Sequence, residues 1–479
     1  MIGRRPDPVE QASVDRGASN GDQSSGWKRG RLGLLAVGLL AVALVAAGWW
    51  HNPLSGSETP TRTAMATANA AQSSERVAAI ATSPAANARA LDALQPVFAK
   101  GDELLASASG APTSADARLL RIYGLIATSQ ARLALEEAAK LAQDMPNFGL
   151  AQLVYADLLT TLTAPTDEFA AVNQPLRAEA SERLRELVAE ARARVVAAGH
   201  RPPAGSVPAQ FVKLDPSVRH AVAVDVSKSR LYVFANTPTG LVLRSDYYSS
   251  VGKLGFAKRV EGDLRTPIGV YFGTGRISDA RLRDPAVEDR YGAAAIALNY
   301  PNQYDQMKGR TGSGIWLHGV PTSLFSRAPL ATDGCVAVSN PDMLELTGIV
   351  ERQETPILIA EKIEWVSQQA AEQRRAEFMQ TFKAWKNARS AQQPEALAQF
   401  YAPGEADVAR SDRKRANRST RSSAATIGAE SVIWWEDDRE VVVVTYTETS
   451  ANQLRPRVKR QYWLRNAGGW KVFFEGNLA

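Results

Sequence analysis

The sequence predicts a multidomain protein: an N-terminal membrane anchor, an α-helical domain, a mostly-β domain and a C-terminal α+β domain. Three observations carry this. One long apolar run lies near the amino terminus, the apolar period switches from helical to alternating near residue 200, and a long helical segment precedes a last set of alternating strands. A chain of 479 residues also exceeds one ordinary core, so two to four domains are expected.

Residues 1–31 are polar and read as a cytoplasmic tail. Leu32 to Trp50 are apolar without interruption; at ~1.5 Å per residue the run spans about 28 Å, close to a bilayer core. Lys28, Arg29 and Arg31 precede it and no basic residue follows before Arg62. The positive-inside rule therefore exports everything downstream. Trp49 and Trp50 suit the outer interface. The alternative is a cleaved signal peptide, with Val45-Ala46-Ala47 as its site. Residues 51–86, rich in Ala, Thr and Ser, read as a tether.

Residues 87–200 carry helical periodicity. Leu119, Leu120, Ile122, Tyr123 and Leu125 open one amphipathic segment, Leu133 to Leu141 continue it, and Leu150 to Leu162 resume after Pro146-Asn147-Phe148. The pattern resembles one tetratricopeptide-like unit without a repeat. It suits a plain packing domain or a contact for a second copy or a cell-wall protein.

Past Pro202, Pro203 and Pro208 the period is two. Val222, Val224 and Val226 alternate, Ser227-Lys228-Ser229 turns, and Leu231 to Phe234 returns as a hairpin. Further strands are expected at 241–251, 268–272, 294–298, 314–317 and 356–360. Asn340 and Pro341 read as the N-cap and first residue of a short helix. These elements make a β-rich domain over 218–363. Residues 366–391 then read as one long helix, followed by strands at 431–435, 440–446, 457–464 and 469–474, a separate α+β domain over 366–479.

Cysteine usage is the sharpest compositional fact. The sequence has one cysteine, Cys335, and four histidines. In an exported chain a solitary thiol forms no internal disulfide; it is either buried and inert or kept for chemistry. Gly314-Ile315-Trp316-Leu317-His318-Gly319 delivers a histidine to a strand end, and Thr332-Asp333-Gly334-Cys335 follows after a loop. A free thiol is only a few per cent ionised at neutral pH. An adjacent imidazole corrects this by taking the proton, typically worth about 10²–10⁴ in rate. Backbone N–H groups of Gly334 and Cys335 are candidates for an oxyanion site.

On these residues, 218–363 resembles the L,D-transpeptidase (YkuD-type) catalytic domain. Its His-Gly, loop, Ser/Thr-x-Gly-Cys signature is filled by His318, Gly319, Thr332, Gly334 and Cys335. Thr266-Pro267-Ile268-Gly269 and Val224-Asp225-Val226-Ser227 support it. The resemblance implies a β-sandwich-like fold, no cofactor and no metal, and a peptidoglycan stem peptide as substrate. Cys335 would attack at the L-centre of diaminopimelate in a tetrapeptide and expel D-alanine. The acyl-enzyme would pass to an amine (transpeptidase) or to water (L,D-carboxypeptidase); a non-catalytic wall-binding scaffold is the third reading. His318 would be the acid–base, oriented by the Gly319 carbonyl, and Thr332, Asp333, Arg310 and Trp316 are the expected substrate contacts. Asp333 and Ala337 stand where many transpeptidases carry His and Arg. Asn299-Tyr300-Pro301 and Gly309-Arg310-Thr311-Gly312 are similar to a proteobacterial branch that includes a cell-shape L,D-carboxypeptidase and carries a C-terminal SnoaL-like cone. That likeness makes 366–479 a cone with a ligand pocket, for which Trp434, Trp435 and Tyr462 are candidates. Catalysis is thereby expected in the periplasm, on an inner-membrane anchor.

Other chemistries lack their residues. Ser250-Val251-Gly252-Lys253 and Ser411-Asp412-Arg413-Lys414 fit Ser-x-x-Lys without a companion Lys-Thr-Gly, and Gly17 to Gly21 imitate a nucleophile elbow in a polar tail. The histidines are too scattered for zinc. A net charge of +6 over this length singles out no acidic partner, and no nucleic acid is expected. The cluster Arg410, Arg413, Lys414, Arg415, Arg418 and Arg421 suits a solvated loop or an anionic polymer.

Overall fold

The computed structural model describes residues 114–163, 178–284, 289–402, 425–450 and 455–478. All fall within one compact unit, Ile80–Ala479. The expected tail, anchor and tether, and the basic cluster 410–421, lie outside the described residues. No described helix is long and apolar enough to cross a membrane.

Among the described residues four helices come first: α1 (Ala115–Ala127), α2 (Ala131–Asp144), α3 (Gly149–Thr163) and α4 (Ala178–Ala198). Ser114 caps α1 by accepting from the Ala117 N–H at 3.1 Å. Leu119, Ile122, Leu141, Phe148 and Leu150 bury one shared core, which α4 closes with Val195.

Two short strands follow, β1 (Ser206–Pro208) and β2 (Phe211–Lys213), and neither joins the sheet of the catalytic region. The catalytic region then contributes β3 (His220–Asp225), β4 (Arg230–Thr237), β5 (Gly240–Tyr248), β6 (Val251–Gly252), β7 (Gly269–Arg276), a single turn α5 (Asp279–Leu282), β8 (Ala295–Leu298), α6 (Gln303–Met307), β9 (Trp316–His318), β10 (Leu330–Thr332), β11 (Val336–Ala337), α7 (Asn340–Ile349) and β12 (Pro356–Ala360). Its eight-stranded sheet runs β11-β9-β8-β7-β12-β3-β4-β5, while β6 and β10 pair separately. The β3–β4 hairpin turns where the sequence places it. Ser229 takes the left-handed conformation at φ 51°, and Asp225 caps the turn by accepting from the Lys228 N–H.

The last region holds β13 (Trp365–Ser367), α8 (Gln368–Arg374), α9 (Ala376–Ser390), α10 (Pro394–Ala398), β14 (Ala425–Glu436), β15 (Glu440–Ser450), β16 (Arg457–Asn466) and β17 (Gly469–Asn477). The single long helix expected over 366–391 is broken at Arg375. That residue leaves helical geometry (φ −115°, ψ 18°), lays its guanidinium 3.5 Å from the Trp434 ring centroid and reaches Glu440 at 3.2 Å. The antiparallel sheet is ordered β17-β16-β15-β14-β2, so its fifth strand comes from before the catalytic region.

Strand alternation builds the layers. In β3 and β12, Ala221, Ala223, Leu358 and Ala360 face the C-terminal sheet, whereas Val222, Val224, Ile357 and Ile359 face α7. In β15, Val441 and Val443 meet the catalytic sheet, and Val442 and Val444 meet α9 through Phe378, Phe382 and Trp385. The order is helix, sheet, sheet, helix. The central strands β3 and β12 are therefore buried on both faces and are apolar almost throughout.

Candidate active site

β9 and β11 lie side by side and parallel, with Val336 opposite Leu317 and Ala337 opposite His318. One step back in that register sets Cys335 opposite Trp316. Alternation then turns His318 and Cys335 to the same face. The His-Gly and Gly-Cys ends, separated by a loop in sequence, are thus neighbours across one strand pair.

His318 is 2 % exposed, and its Nδ1 lies 2.5 Å from the Gly319 carbonyl oxygen. A carbonyl only accepts, so Nδ1 carries the proton and Nε2 presents its lone pair. Burial holds the imidazole down at about 4; the Gly319 carbonyl pulls it up, and the Arg327 charge adds to the depression. The ring is therefore neutral at pH 7, the form a general base needs.

Cys335 is half-buried. Its Sγ accepts from the Trp316 N–H and donates to the Gly314 carbonyl, each at 3.4 Å. Burial pushes the thiol up to about 11; the Trp316 N–H opposes this, the Asp333 carboxylate adds to it and Lys258 opposes it. At pH 7 the two side chains therefore rest as thiol and neutral imidazole, and attack by this sulfur needs a base to take its proton.

The glycines are required by contact. Gly334 sits at φ 126°, and a Cβ there would lie 2.7 Å from the Arg265 carbonyl oxygen. A Cβ on Gly319 would lie 2.1 Å from Asn340 Oδ1. That oxygen accepts from the Ala293 N–H at 2.9 Å and the Val320 N–H at 3.1 Å, and Asn340 Nδ2 donates to the Val320 carbonyl at 2.8 Å. Ser339 is the true N-cap of α7, since its Oγ accepts from the Asp342 N–H. Asn340 is one residue inside the helix, so its side chain brackets two loops instead of capping.

The expected substrate contacts separate. Asp333 is at the rim, paired with Lys253 at 2.9 Å. Trp316 is 9 % exposed and forms the wall beside Cys335, its ring tilted 52° against that of Tyr291 at 4.6 Å between centroids. Two assignments are corrected. Thr332 is buried and braces the cysteine loop: its Oγ1 donates to the Cys335 carbonyl at 2.7 Å and accepts from the Gly334 N–H at 3.2 Å. Of the two oxyanion candidates this leaves the Cys335 N–H. Arg310 binds Asp305 at 2.9 Å and Asp437 across the domain boundary, with Tyr304 beneath it, so it clamps the two sheets.

Tyr291 was missed. Its ring stands edge-on to His318 at 5.0 Å, and nothing in Arg290-Tyr291-Gly292 marks it in sequence. The expected aromatic lining of the C-terminal pocket is also corrected. Trp435 and Tyr462 are buried in the core between the sheets, and Trp434 lies under Arg375. The cavity there, about 550 Å³, is lined instead by Phe272, Gln353, Thr445, Arg457 and Val458. Of the other histidines, His200 lies in the turn just past α4 with Nδ1 2.8 Å from the Val196 carbonyl oxygen, and His220 starts β3; His51 is outside the described residues.

A buried neutral imidazole and a lone thiol, turned to one face of two neighbouring strands, are the side chains that cysteine acyl transfer uses. Residues 219–359 match the YkuD family, the L,D-transpeptidase catalytic domain, and this part of the chain is a domain of that family. The protein is in that class a peptidoglycan-remodelling cysteine enzyme. Among solved structures, Bd1075 of Bdellovibrio bacteriovorus is similar at 26% identity, over 57% of this chain and 98% of that one, with a TM-score of 0.47. The helical cell shape determining protein Pgp2 from Campylobacter jejuni is similar at 21% identity, over 54% of this chain and 91% of that one, with a TM-score of 0.42. No curated protein matches the chain.

Proposed function

We propose that this protein is an exported L,D-transpeptidase-family acyltransferase acting on peptidoglycan stem tetrapeptides. The observation that carries the reading is His318 Nδ1 held by the Gly319 carbonyl, which leaves Nε2 to serve Cys335. The Cys335 proton passes to Nε2 as Sγ bonds to the diaminopimelate carbonyl carbon. The Cys335 N–H meets the developing oxyanion. Collapse breaks the carbonyl–nitrogen bond, and His318 returns the proton to departing D-alanine. An incoming amine or water then repeats the steps in reverse and restores the thiol.

A second reading, water as acceptor, is favoured by Ala337. It is 1 % exposed and apolar where many transpeptidases place an arginine, so no guanidinium is offered there to an acceptor peptide. Residues 32–50 complete the proposal as an inner-membrane anchor that places the domain in the periplasm. The helical domain is a further proposed contact for a second copy or a cell-wall protein.

Purified protein incubated with tetrapeptide muropeptides, read by mass spectrometry, tests this. Crosslinked dimers support amine transfer and tripeptides support trimming. Unchanged substrate rejects both and leaves a wall-binding scaffold. Cys335→Ala is expected to abolish product; residual turnover would remove Cys335 from its role.

A further inference from the structure

The chain that joins the two reacting residues is held from outside the catalytic region. Between β9 and β10 the loop runs against the helical domain. Phe325 packs into the helical core with its ring 4.6 Å from that of Phe148. Its N–H donates to the Asn147 carbonyl at 3.0 Å, and Asn147 Nδ2 donates back to the Thr322 carbonyl at 3.2 Å. Ser326 Oγ donates to Glu190 Oε1 at 2.6 Å, both residues being buried.

The anchor is itself braced. Glu190 Oε1 also accepts from Arg194 at 2.9 and 2.7 Å, and the Arg194 guanidinium lies 4.0 Å from the Tyr248 ring centroid. Tyr248 and Ser250 both donate to the Arg327 carbonyl, at 2.9 and 3.1 Å. Asp116 of α1 accepts from Arg194 and from Arg230 of β4. Surface loops are ordinarily the least restrained parts of a domain. This one has two backbone groups, an aromatic ring and a hydroxyl satisfied by another domain, and a buried carboxylate is costly unless its partners stay in place.

We propose that the helical domain is the positioning element of the catalytic loop: Asn147, Phe148 and Glu190 fix residues 322–326, and thereby the placement of His318 relative to Cys335. The proposal rests on the acyl-transfer reading above. Phe148, Glu190, Phe325 and Ser326 are positioning residues, since none of them is placed at the reacting atoms.

Full-length protein and its variants, assayed on tetrapeptide muropeptides, test it. Phe325→Ala is expected to lower kcat about 10–100-fold, the scale on which small misplacement acts, with KM within about 2-fold. Phe325→Leu restores most of that loss. Phe148→Ala lowers kcat similarly, and the double variant falls no further, because both act through one contact. Ser326→Ala, the mild variant, lowers kcat several-fold with its melting temperature close to wild type. Unchanged kcat in folded Phe325→Ala or Ser326→Ala, or losses that multiply in the double variant, overturns the proposal. Alkylation of Cys335, the sole cysteine, reads the same geometry without substrate. A several-fold change in rate is expected for Phe325→Ala, and an equal rate counts against the proposal. Wild type that leaves muropeptides intact rejects the acyl-transfer reading, whereas active wild type with unaffected variants rejects only the role of the helical domain.

Discussion

His318 is one residue through which pH acts on the fold. Its folded value, about 4, lies below the usual 6.5 for imidazole. Between those values the unfolded chain binds a proton that the folded chain refuses, so stability rises with pH across that window. The sign is therefore a loss as pH falls from about 6.5 to about 4, of order 3 kcal/mol at its limit. Burial pushes Asp342 up to about 6, which acts with the opposite sign, so His318 is read by difference: from pH 7 to pH 4 the urea midpoints of wild type should fall relative to those of His318→Asn. A slope the variant does not change would place the titrating group elsewhere. His318 and Cys335 stand out in sequence because the one cysteine and one of four histidines both sit next to a glycine in a family signature, and the structure turns them to one face of neighbouring strands. Thr332 and Arg310 were assigned from the same stretch, but whether a polar group faces substrate or a neighbouring backbone depends on the fold around it.

At the scale of elements, α7 does more than cover the catalytic sheet. Its first turn carries Asn340 to the two loops that border His318, one holding Gly319 and Val320, the other Tyr291 to Ala293. Asn340→Ala leaves the Ala293 and Val320 N–H groups unpaired, at a cost of about 1–3 kcal/mol. Loosening the Gly319 carbonyl should also lower kcat by at least about 10-fold. Melting curves and muropeptide time courses measure the two effects; a stability loss with kcat untouched would make Asn340 a purely structural bracket. The helix itself was expected from Asn340-Pro341. The bracket was not, because Asn at a helix start looks the same whether it caps its own helix or reaches a distant loop.

At the scale of the whole molecule, the catalytic sheet depends on the C-terminal one. Phe234, Phe272 and Leu358 are buried between the two sheets, and burying each such side chain is worth about 1.5–3 kcal/mol. A chain ending at residue 363 loses β14 to β17, exposes that face and leaves β2 without its partner. It should be recovered as aggregate, or as a species with a much lower melting temperature by gel filtration and calorimetry. A soluble monomer melting with the full-length protein would show that the two sheets are independent. The periodicity of 218–363 and of 366–479 defined both regions as separate units. It gave no sign that residues 211–213 complete the later sheet, because a three-residue strand has too few alternations to show a face.

The sequence by itself determined the helical and β regions, the hairpin at Ser227-Lys228-Ser229, and the thiol–imidazole pair with its two glycines. Each of these is written in local periodicity, backbone freedom or residue chemistry, which act between near neighbours. Only the tertiary structure decided that Phe325 belongs to the helical core, that Arg310 clamps two sheets and that Asn340 holds the loops beside His318. Asn147 reaches Thr322 across 175 residues of chain. Such contacts follow from how buried surfaces and unsatisfied polar groups find partners once the layers assemble, and no spacing along the chain encodes them.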